Sequence, residues 1–98
     1  MTNYRGDRTL DGVEAWADDQ RLDPRTDIKT LSKNGFEWGY EGPEPDQLAL
    51  ALLAHHLGDP AKALAHHDAF MRQIVANFGN EWEMTSADMD EALKSILG

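Results

Sequence analysis

In the stretch GVEAWA, Val13, Ala15 and Ala17 alternate with Glu14 and Trp16. A period of two puts one set on each face of a β-strand. The polar DDQ that follows predicts a hairpin turn at Asp18–Gln20 with a short return strand. Upstream, NYRG is a brief edge-strand candidate ending at Gly6. Pro24 in DPRTD then breaks the pattern, because proline fixes φ and lacks an N–H. Residues 27–34, DIKTLSKN, are ambiguous: Ile28 and Leu31 stand one helical turn apart, with Asn34–Gly35 closing the segment. FEWGY reads as the clearest strand. Phe36, Trp38 and Tyr40 fall on one face and Glu37 and Gly39 on the other. Gly39 marks a bulge or a close backbone approach.

The period then lengthens. In EGPEPDQ, Pro45 suits a first helical position, where its missing N–H is no loss. Glu44 and Asp46 favour the positive end of the helix dipole. From Asp46 to Leu57 the residues are apolar almost all round, the pattern of a helix buried on most sides. Gly58 fits the left-handed position after that helix, Asp59 the next N-cap and Pro60 the next first turn. A second helix is expected from Pro60 to about Asn77, with Leu64, His67, Met71, Ile74 and Phe78 as its apolar stripe. EWEM should return to the sheet with Trp82 and Met84 facing in. Thr85 then caps a last helix, with Asp88 as its capping-box partner, and Met89, Leu93, Ile96 and Leu97 supply its apolar face. This order predicts an α+β fold spanning residues 1–98 as one domain: an antiparallel sheet of about three to five short strands with about three helices on one face.

Composition narrows the function classes. The chain has 98 residues, 41% of them hydrophobic, which suits a single core without a large internal chamber. It has no cysteine, so disulfides, thiolate metal sites and thiol nucleophiles are excluded. The formal charge is −9, and most of the net negative charge lies after residue 40, where ten acids face three bases. Such a surface disfavours direct nucleic-acid binding. Two sources of the acidity compete: a partner with a basic surface, and halophilic adaptation. Asp outnumbers Glu, Lys is scarce and the acids are scattered, which favours adaptation. MTNYRGDRTLDG has no apolar signal-peptide core, and LALALLA is far too short to span a membrane. A cytoplasmic protein is expected.

No motif demands catalysis. Nucleophile elbow, P-loop, dinucleotide fingerprint and zinc-protease signatures are all missing from the sequence. The adjacent pairs His55–His56 and His66–His67 point about 100° apart within each pair, so neither pair can grip one metal. Glu37 with His55 or His56 is the nearest approach to an acid/base pair, and no spacing brings them together. Neither an enzyme, a metal site nor a cofactor is expected. The loop Glu41–Asp46 and the helix it opens form an alternative site for a small polar ligand, through free N–H groups at a helix start. The acids Glu41, Glu44 and Asp46 oppose an anion there. The preferred contact surface is N-terminal. Trp16 lies on the polar face of its strand, and Arg5, Arg8, Arg21 and Arg25 are near in sequence; Trp with Arg is the composition of interface hot spots. The expected partner is a protein.

Four stretches, YRG, FEWGYEGPEPDQLALALL, GDPAKALAHHDAF and EWEMTSADMDEAL, together resemble a family of small uncharacterised prokaryotic proteins. That domain of unknown function is met in bacteria, haloarchaea, plasmids and phages. The family pattern has a glycine-richer loop and Asp-Gly in the early hairpin, where this chain has Pro43, Glu44 and DDQ. The resemblance implies a compact protein of prokaryotic origin and an accessory role tied to mobile elements. It implies no activity.

Overall fold

A computed structural model describes residues 1–97. Strands β1 (Asn3–Thr9), β2 (Gly12–Ala17) and β3 (Gln20–Arg21) come first. After a long irregular stretch come helices α1 (Pro43–Leu57) and α2 (Pro60–Gln73), the latter followed by a 3₁₀ turn at Val75–Asn77. Strand β4 (Glu81–Thr85) and helix α3 (Ser86–Leu97) complete the order. The sheet runs β3-β2-β1-β4 and every pairing is antiparallel. The expected α+β class, with helices on one face of a small antiparallel sheet, is what the chain forms.

The hairpin forms as the alternation requires. Asp18 takes a left-handed φ of 54° in the turn, and its carboxylate accepts from the Asn3 N–H at 2.9 Å. Asparagine and aspartate tolerate that conformation better than other non-glycine residues. The strand at NYRG is not an edge. β1 extends to Thr9 and pairs with β2 on one side and β4 on the other. Its inward residues explain why: Tyr4 and Gly6 are buried. Gly6 faces Trp82 directly across the ladder, and a β-carbon at Gly6 would overlap the Trp82 indole. The glycine that looked like a strand terminator is the floor of a tryptophan pocket.

FEWGY is not a strand; residues 35–38 are irregular and make no ladder. Gly35, just before the run, and Gly39, within it, take left-handed φ values of 81° and 88°, which a β-strand excludes. Its N–H groups find separate acceptors: Glu37 on the Glu44 carbonyl, Trp38 on its neighbour's carboxylate at 3.0 Å and Gly39 on the Val75 carbonyl at 3.1 Å. The period-two aromatics reflect one anchor. Trp38 is 1% exposed and donates from its indole to the Gly79 carbonyl at 2.7 Å. Tyr40, expected on the same buried face, is 43% exposed. Gly39 does mark a close approach: a β-carbon there would sit 3.0 Å from the Phe78 carbonyl. In residues 27–34 only an isolated turn forms.

α1 begins at Pro43, earlier than the sequence suggested, because Pro43 and Pro45 are both compatible with a first helical turn. Leu48 through Ala54 are all buried, and burying each leucine contributes about 1.5–3 kcal/mol. Gly58 ends the helix at φ 64°, and Asp59 caps the next by accepting from Ala61 and Lys62 N–H. α2 stops at Gln73 and tightens into the 3₁₀ turn. Its buried residues are Ala63, Phe70 and Met71, with Val75 beyond, while Leu64 is 40% exposed. The buried stripe is thus rotated by about one residue from the expected one. Thr85 and Asp88 exchange the expected capping-box bonds at 2.9 and 3.2 Å, and Trp82 is buried as expected. No helix among the described residues is long and apolar enough to cross a membrane.

Gln47 fastens the irregular stretch to this core. It is fully buried and uses both ends of its amide. The oxygen accepts from Leu31 and Ser32 N–H at 2.7 and 3.1 Å. The nitrogen donates to the Pro24 and Lys29 carbonyls at 2.6 and 3.2 Å. A loop without ladders is held by one side chain that supplies what a ladder would.

Candidate functional site

With the helices on one side, the other face of the sheet is open. Its side chains follow from the register. Glu83, Arg5, Trp16 and Arg21 are successive Cα partners across β4, β1, β2 and β3, and so form one transverse row. Glu81, Asp7 and Glu14 form the next row. Trp16 sits between two guanidinium groups, Arg5 at 5.1 Å and Arg21 at 5.3 Å from the ring centroid. Such cation–π contacts contribute about 0.5–1 kcal/mol each at exposed sites. Arg21 also pairs with Glu14 at 2.9 Å, and Arg5 with Asp7 at 3.6 Å. The indole N–H of Trp16 is covered and has no acceptor among the described residues. Trp16 is thus half-buried on the open face, its ring flanked by two guanidinium groups.

Two of the expected arginines belong elsewhere. Arg8 has the inward parity of Tyr4 and Gly6. It binds the Glu37 carboxylate, donates to the Trp38 carbonyl at 2.9 Å and stacks 5.3 Å from the Trp38 ring. It clamps residues 37–38 to the end of β1. Arg25 pairs with Asp27 at 3.0 Å within its own loop, where its φ is 59°. Nearness in sequence misassigned both. Strand parity separates Arg8 from Arg5, and Pro24 breaks the strand before Arg25. With Arg5 and Arg21 already paired, the acids Glu81 and Glu83 leave the open face with a negative surplus.

The histidines are distributed rather than gathered. His55 Nδ1 shares a 2.8 Å hydrogen bond with the buried Tyr4 hydroxyl. His56 Nε2 donates to Asp90 of α3 at 2.6 Å, and His67 Nδ1 donates to Asp46 of α1 at 2.6 Å. Three histidines thus tie α1 to β1, α3 and α2 in turn. Glu37 is held by Arg8, so it forms no acid/base pair with His55 or His56.

The Glu41–Asp46 loop lines a cleft of about 380 Å³ together with Leu31, Asp68, Met71 and Arg72. Its chemistry is poor for an anion. Pro43 and Pro45 remove two of the first three helical N–H groups, and the Asp46 N–H goes to the Gly42 carbonyl. Arg72 is already shared between Glu41 at 2.8 Å and Asp68 at 3.0 Å.

A family model matches residues 4–95, from β1 into α3. The chain belongs to DUF6166, a family of unknown function. Neither a curated protein nor a solved structure matches it significantly.

Proposed function

We propose that this DUF6166 protein is a non-enzymatic interaction module that engages a basic protein partner through the open face of its sheet. One observation carries the proposal: Trp16 lies between Arg5 and Arg21 in one row across the sheet, on the face opposite Tyr4, Ala15 and Trp82 of the core. A central aromatic ringed by charge is the usual make-up of an interface anchor. The partner's sign follows from bookkeeping of the ion pairs. Arg5 and Arg21 are matched by Asp7 and Glu14, and Glu81 and Glu83 remain as surplus. The chain's net charge of −9 adds long-range attraction for a basic surface and repulsion for nucleic acid. An accessory role in plasmid or phage biology, suggested by the sequence resemblance, is compatible with such a module.

The test compares wild-type protein with Trp16→Ala as bait in lysate of the native host, at low and high salt. The expected result is a basic protein retained in stoichiometric amount by wild type, lost from the variant and released by salt. Equal retention by both baits would remove Trp16 from the interface.

A further inference from the structure

We infer that the outer edge of β4 accepts an extended basic segment of the partner as a fifth strand. This rests on the interaction-module proposal and supplies its mode of binding and the chemistry of the bound segment.

The hydrogen-bond parity of the sheet leaves this edge open. Just outside the β1–β4 ladder, the Arg8 N–H donates to the Asn80 carbonyl and the Ser86 N–H to the Thr2 carbonyl. In an antiparallel pair, bonded and non-bonded residues alternate. Trp82 and Met84, paired with Gly6 and Tyr4, therefore spend their backbone groups on β1. Glu81 and Glu83 point theirs outward. The opposite parity on the other side of β1, where the Asp18 N–H donates to the Asn3 carbonyl, agrees with this assignment. Among the described residues, the backbone groups of Glu81 and Glu83 make no other hydrogen bond. At the strand's end, the Thr85 N–H is already capped by Asp88. The open edge is therefore short and polar, with two donors and two acceptors.

Charge selects the occupant. The side chains of Glu81 and Glu83 are exposed along this edge. Beside them lies a depression of about 280 Å³ lined by Arg5, Asp7, Glu81, Trp82 and Glu83. A second copy pairing antiparallel on the same edge would bring glutamates opposite glutamates, which disfavours the match. A segment with lysine or arginine at alternate positions would set cations beside Glu81 and Glu83 while its backbone completes the ladder.

The probe is a capped peptide of about seven residues alternating lysine and valine, with a glutamate–valine peptide as control. Both are titrated into isotope-labelled full-length protein and followed by amide NMR. Shifts and slowed exchange are expected at the Glu81 and Glu83 amides, with the lysine peptide binding at least about tenfold tighter than the control. Glu83→Pro removes one outward N–H and no bond to β1, a position where edge strands accept proline. It should abolish binding. The Glu81→Lys/Glu83→Lys variant keeps the backbone intact and should reverse the preference between the two peptides, so the test survives if the proline variant misfolds. Absence of any β4 shift overturns the inference, as does unchanged binding to Glu83→Pro or unchanged preference in the charge-reversed protein. If β4 is silent while capture of the host partner still depends on Trp16, strand addition fails and the interaction module stands. If capture is also indifferent to Trp16, both fail.

Discussion

Gln47 shows how much one side chain can organise. Its amide satisfies two N–H groups and two carbonyls of residues 24–32. Gln47→Leu keeps most of the volume and removes all four bonds. Leaving a buried polar group unpaired costs about 1–3 kcal/mol, so a loss of at least that size is expected in urea unfolding, with faster amide exchange at Leu31 and Ser32. Tyrosine ionisation offers a second residue-scale test. Burial, with the Asp18 charge nearby, pushes the Tyr4 hydroxyl up to about 12. Loss of hydration and the Glu44 carboxylate push Tyr40 to about 12. In an unfolded chain both ionise near 10. The folded state thus favours the neutral phenols. Their contribution to stability is complete below about pH 10 and is lost as pH rises through about 12. Phenolate absorbance should rise late in the native protein and near 10 in denaturant. Tyr4→Phe should retain more of its stability in that alkaline window. Of these residues, the sequence pattern marked Tyr40 and missed Gln47 and Tyr4. A glutamine amid leucines carries no periodic signal, and its partners are loop backbone groups that become neighbours only after folding.

Among the elements, junctions were easier to read than interiors. Gly58, Asp59 and Pro60 each act locally, and each took the expected position. Thr85 and Asp88 did the same for α3. Thr85→Ala is expected to cost about 0.5–2 kcal/mol, read as a lowered urea midpoint with an unchanged slope. FEWGY misled because alternation records which side chains are buried, not where the backbone bonds go. Trp38 alone is deeply buried there, and Gly35 and Gly39 supply conformations that no strand contains. The α2 stripe slipped for a related reason. Alanine is apolar but small, and Ala63 packs against the core where Leu64 had been expected. The Trp16 row was half legible: alternation put Trp16 on the polar face and Pro24 sets Arg25 outside the strands, but the pairing of Trp16 with Arg5 and Arg21 needs the strand register.

At the scale of the whole molecule, charge and one-sided packing act together. A net charge of −9 on 98 residues repels itself, and salt screens that repulsion. The melting temperature should rise as sodium chloride goes from about 0.05 M to about 1 M. A flat response would mean that local ion pairs such as Arg72 with Glu41 and Asp68 already balance the field. The same charge, with a sheet face left open by the helices, underlies the proposed engagement of a basic protein. Amide hydrogen exchange, measured on the protein alone and with its captured partner, tests that claim most directly. Protection confined to residues 3–21 and 81–85 is expected. Protection centred instead on the cleft between Glu41–Asp46 and Asp68–Arg72 would contradict it.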